Sequence, residues 1–359
     1  MSNTFGDNVK ITVFGESHGK AVGAVLDGIK PGMTVDEGFI KEQLLKRSPA
    51  YFGELATGRK EEDSFEILSG VYNGKTTGTP ICFIIKNKDV KSSDYENLRG
   101  IMRPSHADYT SYVKYSGFAD SRGGGHFSGR LTAPLVAAGS VALDELNKRG
   151  IEIITHIKSC MDISDRDFED KETDKKILSE ERVAAFDPDF REKLSEKIKE
   201  ATKNGDSLGG ILETVVYGLP TGVGKPWFDT FEGNIAKIIF SVPAVKGIEF
   251  GDGFMLSEKY GSEANDSFYY DENKNVRTKT NHNGGINGGI SNGMPVVFRT
   301  VIKPTPSISK KQQTIDVVEE KNTEIEINGR HDPAVFLRAP VIINCAAALA
   351  ILDLLSEGE

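Results

Sequence analysis

The chain is short of the residues that mark several broad protein classes. Its 359 residues include three cysteines, Cys82, Cys160 and Cys345, an odd and widely spaced set that argues against a disulfide framework or a CxxC metal motif and fits a reducing compartment. Six dispersed histidines form no HExxH or comparable spacing, so no metal is expected. Basic residues are outnumbered, 44 Lys and Arg against 53 Asp and Glu, and the formal charge of -9 argues against a nucleic-acid-binding surface. No run of about eighteen apolar residues is expected to span a membrane. The N-terminus lacks a basic, apolar and small-residue leader pattern. The expectation is a cytoplasmic protein without nucleic-acid or membrane partners.

What the chain does have is glycine: 38 residues, in clusters rather than at a fixed period, against a usual share of roughly 7%. Such clusters mark tight turns or backbone that approaches a ligand closely. Basic residues gather near them, at Lys46-Arg47, Arg59-Lys60, Arg103, Arg122, Arg130, Arg330 and Arg338. Positive loops in an acidic protein suit a small, highly anionic ligand.

Length alone suggests about two domains, with one interlocked unit as the other reading. Short strands are expected at Val9 to Phe14, Ala21 to Leu26, Ile81 to Lys86, Ile151 to Ile157, Ile211 to Tyr217 and Val296 to Ile302. Thr34 and Glu37 form a capping-box signature for a helix running to about Arg47. Leu131, Leu135, Ala138, Ala142 and Leu146 predict a buried helix ending at Gly150. The Asp162 to Lys176 stretch is expected to be a solvated excursion. An amphipathic helix is expected over Asp187 to Asn204, a shorter helix at Ile235 to Phe240, and a polar loop from Asp271 to Gly293. A final helix should begin near Pro340 and carry Cys345 to Leu355. The mixed order of elements favours an α+β fold with antiparallel strands over a doubly wound sheet.

Three stretches could carry chemistry. VFGESHGKAV (13–22) suggests a P-loop, but three residues separate its glycines and Ala21 follows Lys20, where nucleotide binding needs Ser or Thr. Its Ser17-His18 pair suits proton exchange beside a phosphate. MRPSHADYT places Arg103, His106 and Asp108 together. DSRGGGHFSGR leads through Arg122 and three glycines into the buried helix, where backbone amides and the helix dipole can hold anionic oxygens. Late in the chain, KPTPSI supplies Lys303, Thr305 and Ser307, and GRHDP supplies Arg330, His331 and Asp332. Asp353 is a carboxylate on an otherwise apolar helix, best explained by exposure near the chain end or by pairing with a site.

Taken in order, these stretches resemble the chorismate synthase family: GESHGKAVGAVLDGIKPG (15–32), ILSGVYNGKTTGTPI (67–81), MRPSHADYT (102–110), SRGGG with Arg130 and VAAG (121–139), GDSLGG (205–210), AVKGIEFGDGF (244–254), NHNGGINGGISNG (281–293), KPTPSI (303–308) and GRHDP with RAP (329–340). The resemblance implies one domain over 1–359, a β-α-β sandwich with helices between antiparallel sheets, and a homotetramer. It implies an anti-1,4-elimination of phosphate from 5-enolpyruvylshikimate 3-phosphate to give chorismate, a step of the shikimate pathway that needs reduced FMN without net redox change. NADPH as the source of reducing equivalents, used by the chain itself or by a separate flavin reductase, stays open. His18 resembles the histidine that protonates the departing phosphate, His106 the one that serves reduced flavin, and Asp353 an aspartate that assists proton transfer. Ser17, Arg47, Arg130 and Arg338 are the implied substrate contacts. His126, Phe127, Ser128, Ala244, Gly288, Lys303, Thr305, Ser307 and Arg330 are the implied FMN contacts.

The chain departs from the family in two places. GGGHFSGRLTA stands where many members have GGGRSSARETA, and Lys46-Arg47-Ser48-Pro49-Ala50 stands for RRRPG. Lysine for arginine loses bidentate geometry toward oxyanions. Two other readings follow: a phosphotransferase using the glycine loops for ATP, and a flavin-binding paralogue without turnover.

Overall fold

Alternating apolar residues early in the chain build the first of two five-stranded sheets. The computed structural model describes residues 3–57, 63–88, 100–327 and 332–356. The strands are β1 (Thr4–Phe5), β2 (Lys10–Gly15), β3 (Ala21–Asp27), β4 (Phe65–Ser69) and, after a small hairpin of β5 (Val71–Tyr72) and β6 (Lys75–Thr76), β7 (Ile81–Lys86). They pair in the order β1-β2-β3-β7-β4, antiparallel throughout. Ile81, Phe83 and Ile85 alternate into the core, as a period of two requires.

Three helices belong to this half: α1 (Glu37–Arg47), α2 (Asp108–Lys114) and α3 (Thr132–Lys148). The first starts two residues later than its sequence signature suggests, because Asp36 rather than Thr34 accepts the Gly38 and Phe39 amides. The helix at 132 is entered through two 3₁₀ turns, Arg122–Phe127 and Gly129–Leu131.

The second sheet is formed by β8 (Glu152–Cys160), β9 (Ile163–Ser164), β10 (Gly210–Tyr217), β11 (Val245–Phe250) and β16 (Val296–Ile302), numbered to count the intervening hairpins β12 (Phe268–Tyr270) with β13 (Val276–Thr278) and β14 (Ile286–Asn287) with β15 (Ile290–Ser291). Its order is β11-β16-β10-β8-β9, again antiparallel. Helices α4 (Lys171–Glu180), α5 (Pro188–Lys203), α6 (Phe231–Ile239) and α7 (Gly261–Ala264) connect these strands. The hairpin β17 (Gln312–Asp316) with β18 (Lys321–Ile325) precedes the last helix, α8 (Ala339–Leu355).

Helix α3 packs on β3 and β7, α8 packs on β8 and β10, and the two helices pack on each other. The expected α+β sandwich with helices between antiparallel sheets is the observed architecture. Small residues permit the helix crossing: a Cβ on Gly139 would lie 2.6 Å from that of Cys345. Each apolar side chain that α8 buries, such as Ile343 or Leu349, contributes about 1.5–3 kcal/mol.

Several sequence expectations change in the folded chain. Val335–Leu355 is long and apolar enough to cross a membrane, with mean hydropathy 2.1, but 83% of it is buried inside the fold. It is a core helix whose length and composition alone would also suit a span. The Asp162 to Lys176 stretch is not simply solvated. Asp165 and Asp174 are buried, the first accepting the Phe186 and Asp187 amides, the second pairing with Arg166 and the Glu169 amide. The polar 271–293 loop contains one strand of a hairpin and a second, complete hairpin.

Candidate active site

Strand β2 ends at Gly15 and β3 starts at Ala21, so the ESHGK segment has five residues in which to reverse the chain. It does so as a β-turn: the Gly19 amide donates to the Glu16 carbonyl at 3.0 Å, leaving Ser17 and His18 at the corner. A P-loop wraps phosphate between a strand and a helix; here two antiparallel strands flank the turn. This geometry removes the ATP-loop reading.

The glycine run of 122–127 docks on that turn. The Ser17 amide donates to the Gly125 carbonyl at 3.1 Å, and His126 Nδ1 lies 2.8 Å from the Gly15 carbonyl, to which it can only donate. Gly123, Gly124 and Gly125 have φ of 61°, 99° and 53°, conformations that residues with a Cβ rarely adopt. Their bare backbone makes room for two imidazoles. A Cβ on Gly123 would meet the His18 ring at 2.1 Å, and one on Gly124 would meet the His106 ring at 3.0 Å. Two histidines far apart in sequence are therefore packed against adjacent glycines.

Nδ1 of each ring is engaged. Ser17 Oγ lies 3.2 Å from His18 Nδ1 and donates to the Arg122 carbonyl at 3.3 Å. His106 Nδ1 lies 2.8 Å from Asp108 Oδ1, while Arg103 binds both oxygens of the same carboxylate at 2.7 Å. Burial opposes ionisation of Asp108, but hydrogen bonds from Arg103 and His106 outweigh it and hold its carboxyl well below the ordinary aspartate range. An ionised Asp108 keeps the His106 proton on Nδ1 and turns Nε2 toward the glycines.

Two of the three arginines expected to meet substrate, Arg47 and Arg130, are found together, but on a protein carboxylate. Asp63 Oδ2 accepts from Arg47 Nε and Nη2 at 2.9 and 2.7 Å, and Oδ1 accepts from Arg130 Nη1. Arg47 is 3% exposed and also donates to Thr132 Oγ1. Burial raises the Asp63 carboxyl, yet the two guanidinium charges prevail and keep it below its ordinary value. Arg338 Nη2 lies 3.0 Å from Asp332 Oδ2.

The expected flavin contacts divide. Lys303 Nζ donates to the Ser105 carbonyl beside His106, and its own amide donates to Ala244, a residue with φ of 73°. Burial and the neighbouring Lys246 charge push the Lys303 ammonium downward. The Thr305 carbonyl accepts from Ser207, while its hydroxyl is buried without a hydrogen-bond partner among the described residues. Ser128 caps the Gly129–Leu131 turn, Phe127 packs beside Tyr115, and Ser307 is half-buried. Gly288 forms the tip of the β14–β15 hairpin, which packs against residues 224–231 rather than on the histidine loops. Arg330 lies outside the described residues, as do Arg59, Lys60 and His331.

Asp353 is not with the histidines, nor is it exposed. It is 4% exposed, and its carboxylate accepts the backbone amides of Asp7, Asn8 and Val9 at 2.6–3.1 Å. Those amides precede β2, whereas the Ser17-His18 turn follows it, and the strand between spans about 17 Å. The odd carboxylate on an apolar helix is explained by three unpaired amides at the chain's start. Sequence reasoning also passed over Asn87 and Asp63, which had no spacing or composition signal to mark them.

A family model described as Chorismate synthase matches residues 9–355. The chorismate synthase of Lachnoclostridium phytofermentans is 44% identical over 356 residues, covering 99% of this chain and 95% of that protein. That of Methanocaldococcus jannaschii is 43% identical over 370 residues, covering 100% and 97%. A solved structure titled "Crystal Structure of Chorismate Synthase" superposes with a TM-score of 0.78 at 28% identity, covering 98% of this chain and 93% of that one. With the sandwich, the two-histidine turn and the near-complete coverage in agreement, the chain belongs to the chorismate synthase family.

Proposed function

We propose that this chain is a carbon–oxygen lyase that eliminates phosphate from 5-enolpyruvylshikimate 3-phosphate to give chorismate, with reduced FMN as cofactor. The observation that carries the reading is the convergence of His18 and His106 on neighbouring glycines of one turn. Reduced flavin, when bound, supplies electron density that eases departure of the phosphate. The residues present fit such a group: a side-chain-free glycine surface, a Lys303–Lys246 pair that an anionic phosphate would neutralise, and the unpartnered Thr305 hydroxyl.

In this reading Ser17 orients the His18 ring so that Nε2 delivers a proton to the leaving phosphate. Asp108, itself held by Arg103, sets the His106 tautomer and leaves Nε2 toward Gly124. Arg47 and Arg130, preorganised on Asp63, set a positive field for the anionic substrate. With the Asp353 carboxylate taken up by three backbone amides, the carboxylate proposed for the site is Asp332. This residue is 8% exposed, with Oδ1 held by the Ala334 amide and Oδ2 facing Arg338. Its neighbour Pro333 accepts from Leu208, beside the Ser207 that donates to Thr305, two residues from the Lys303 that reaches Ser105.

One hydrophobic core includes residues of both sheets, which supports a single domain over 1–359. The exposed Phe118, Trp227, Phe228 and Phe254 support burial in a homotetramer. A cytoplasmic location follows from the biosynthetic role, and NADPH used directly or through a separate reductase would supply the electrons. The deciding experiment is an anaerobic assay of 5-enolpyruvylshikimate 3-phosphate with chemically reduced FMN. Chorismate and phosphate in equal amounts are expected; FMN binding without either product would instead support the paralogue without turnover.

A further inference from the structure

We propose that Asn87 is a positioning residue for the Ser17-His18 turn, an amide bracket whose orientation is imposed by Arg130 and Asp63. Asn87 follows the last residue of β7. Its Nδ2 donates to the Glu16 carbonyl at 3.0 Å and to the Gly19 carbonyl at 2.9 Å, the first and last residues of the β-turn. Both amide hydrogens are thereby used, and both ends of the turn are tied to one side chain. The Asn87 backbone amide adds a bond to the Lys20 carbonyl at 3.2 Å.

The donor and acceptor chemistry fixes which way the amide points. Arg130 Nε, 3.1 Å from Asn87 Oδ1, can only donate, and the two carbonyls can only accept. Only a side chain with an acceptor and a two-hydrogen donor on the same carbon fits between them. Asparagine meets this requirement at this reach, whereas aspartate would set oxygen against the carbonyls. Arg130 is itself immobilised, with Nη1 on Asp63 and Nη2 3.4 Å from the Lys86 carbonyl. Asp63 is held from its other side by Arg47. The network Arg47–Asp63–Arg130–Asn87 thus ends on the backbone that carries His18.

The catalytic consequence rests on the proposed elimination, with His18 as the acid. Displacing a reacting group by about 1 Å costs on the order of 10²-fold in rate, so the bracket is expected to govern kcat while KM stays unchanged. The positioning itself does not depend on that reading and is tested by two variants of the full chain, Asn87→Ala and Asn87→Asp. Hydrogen–deuterium exchange of peptides spanning residues 13–22 should rise roughly 10- to 100-fold in both, the scale of losing two hydrogen bonds, with α3 peptides (132–148) unchanged. In the phosphate-release assay kcat should fall roughly 10- to 100-fold at constant KM. If Asn87→Ala does not fold, Asn87→Asp, which keeps a partner for Arg130, supplies the same reading. Unchanged exchange at 13–22, or an equal rise at 132–148, would overturn the bracket. A wild-type protein that releases no phosphate would sink the proposed function, while the exchange result still decides the bracket.

Discussion

Among the described residues three histidines sit beside carboxylates, His106, His156 and His282, and the settings of the first two differ in one respect. His106, in the loop region above the first sheet, gives Nδ1 to Asp108 and keeps Nε2 toward the glycine turn. His156, on β8 of the second sheet, is fully buried and has Nδ1 at 3.0 Å from Asp165 and Nε2 at 3.3 Å from Glu213. Glu213 is bound in turn by Arg299, and the Arg299 guanidinium reaches Glu249 at 3.5 Å, so charge alternates from strand to strand across the sheet. Phe168 and Phe186 pack on the His156 ring and close the remaining space. A histidine with a nitrogen left over can exchange a proton with a ligand. One with both nitrogens consumed is part of the scaffold, whatever its neighbours.

The comparison breaks most visibly if the loop histidines can be removed without effect. His18→Ala should lower the rate of phosphate release by roughly 10² to 10⁴-fold with the melting temperature unchanged; an unaltered rate in a stopped assay would take His18 out of the chemistry. The opposite pattern is expected in the second sheet. His156→Ala leaves Asp165 and Glu213 facing each other in a buried space, and losing one partner of a buried charge set costs about 3–5 kcal/mol. Denaturant titration should show that loss, while turnover per folded molecule stays the same.

Asp353 tests the distinction with a carboxylate. Asp353→Asn keeps the shape but removes the charge that three amides converge on, a change of about 1–3 kcal/mol in unfolding free energy. Turnover of the folded fraction should not change, and a slower reaction at unchanged stability would return Asp353 to the mechanism. The smallest effect is in pH. Asp63, Asp108, Asp165 and Glu213 all have carboxyls lowered in the folded state. Each therefore contributes stability that is fully present above the ordinary values of 3.8 for aspartate and 4.5 for glutamate and is lost as pH falls through the lower folded values. Melting curves should hold level from neutrality down to about pH 5 and then decline; a decline beginning near neutrality would contradict the assignment.

Most elements were legible in sequence because they depend on local pattern. The strands at Ile81–Lys86 and Val296–Ile302 match their expected bounds, and Asp187 caps α5 one residue before it starts. The hairpin β17–β18 was missed, since Lys311, Glu319 and Glu320 interrupt any apolar alternation around it. The solvated reading of the 162–176 stretch failed for a related reason. Counting charges along a chain does not reveal that Asp174 will find Arg166 and the Glu169 amide in one buried corner.

The site was legible in part. His18, His106 and the glycines between them were marked by residue type and motif. Asp353 was marked by the same kind of argument, and its carboxylate is found on the Asp7, Asn8 and Val9 amides, because a carboxylate in an apolar helix needs a partner and its sequence does not say which partner. By itself, the order of residues determined the strands, the buried helices and the candidate reactive side chains, all of which follow from period, capping and chemical type. Tertiary structure alone decided which nitrogens of His106 and His156 are engaged, which arginines are already occupied by Asp63, and that a single asparagine spans the Ser17-His18 turn. Those outcomes depend on donors and acceptors brought together from distant segments, and hydrogen-bond valence can be counted only after the chain has folded.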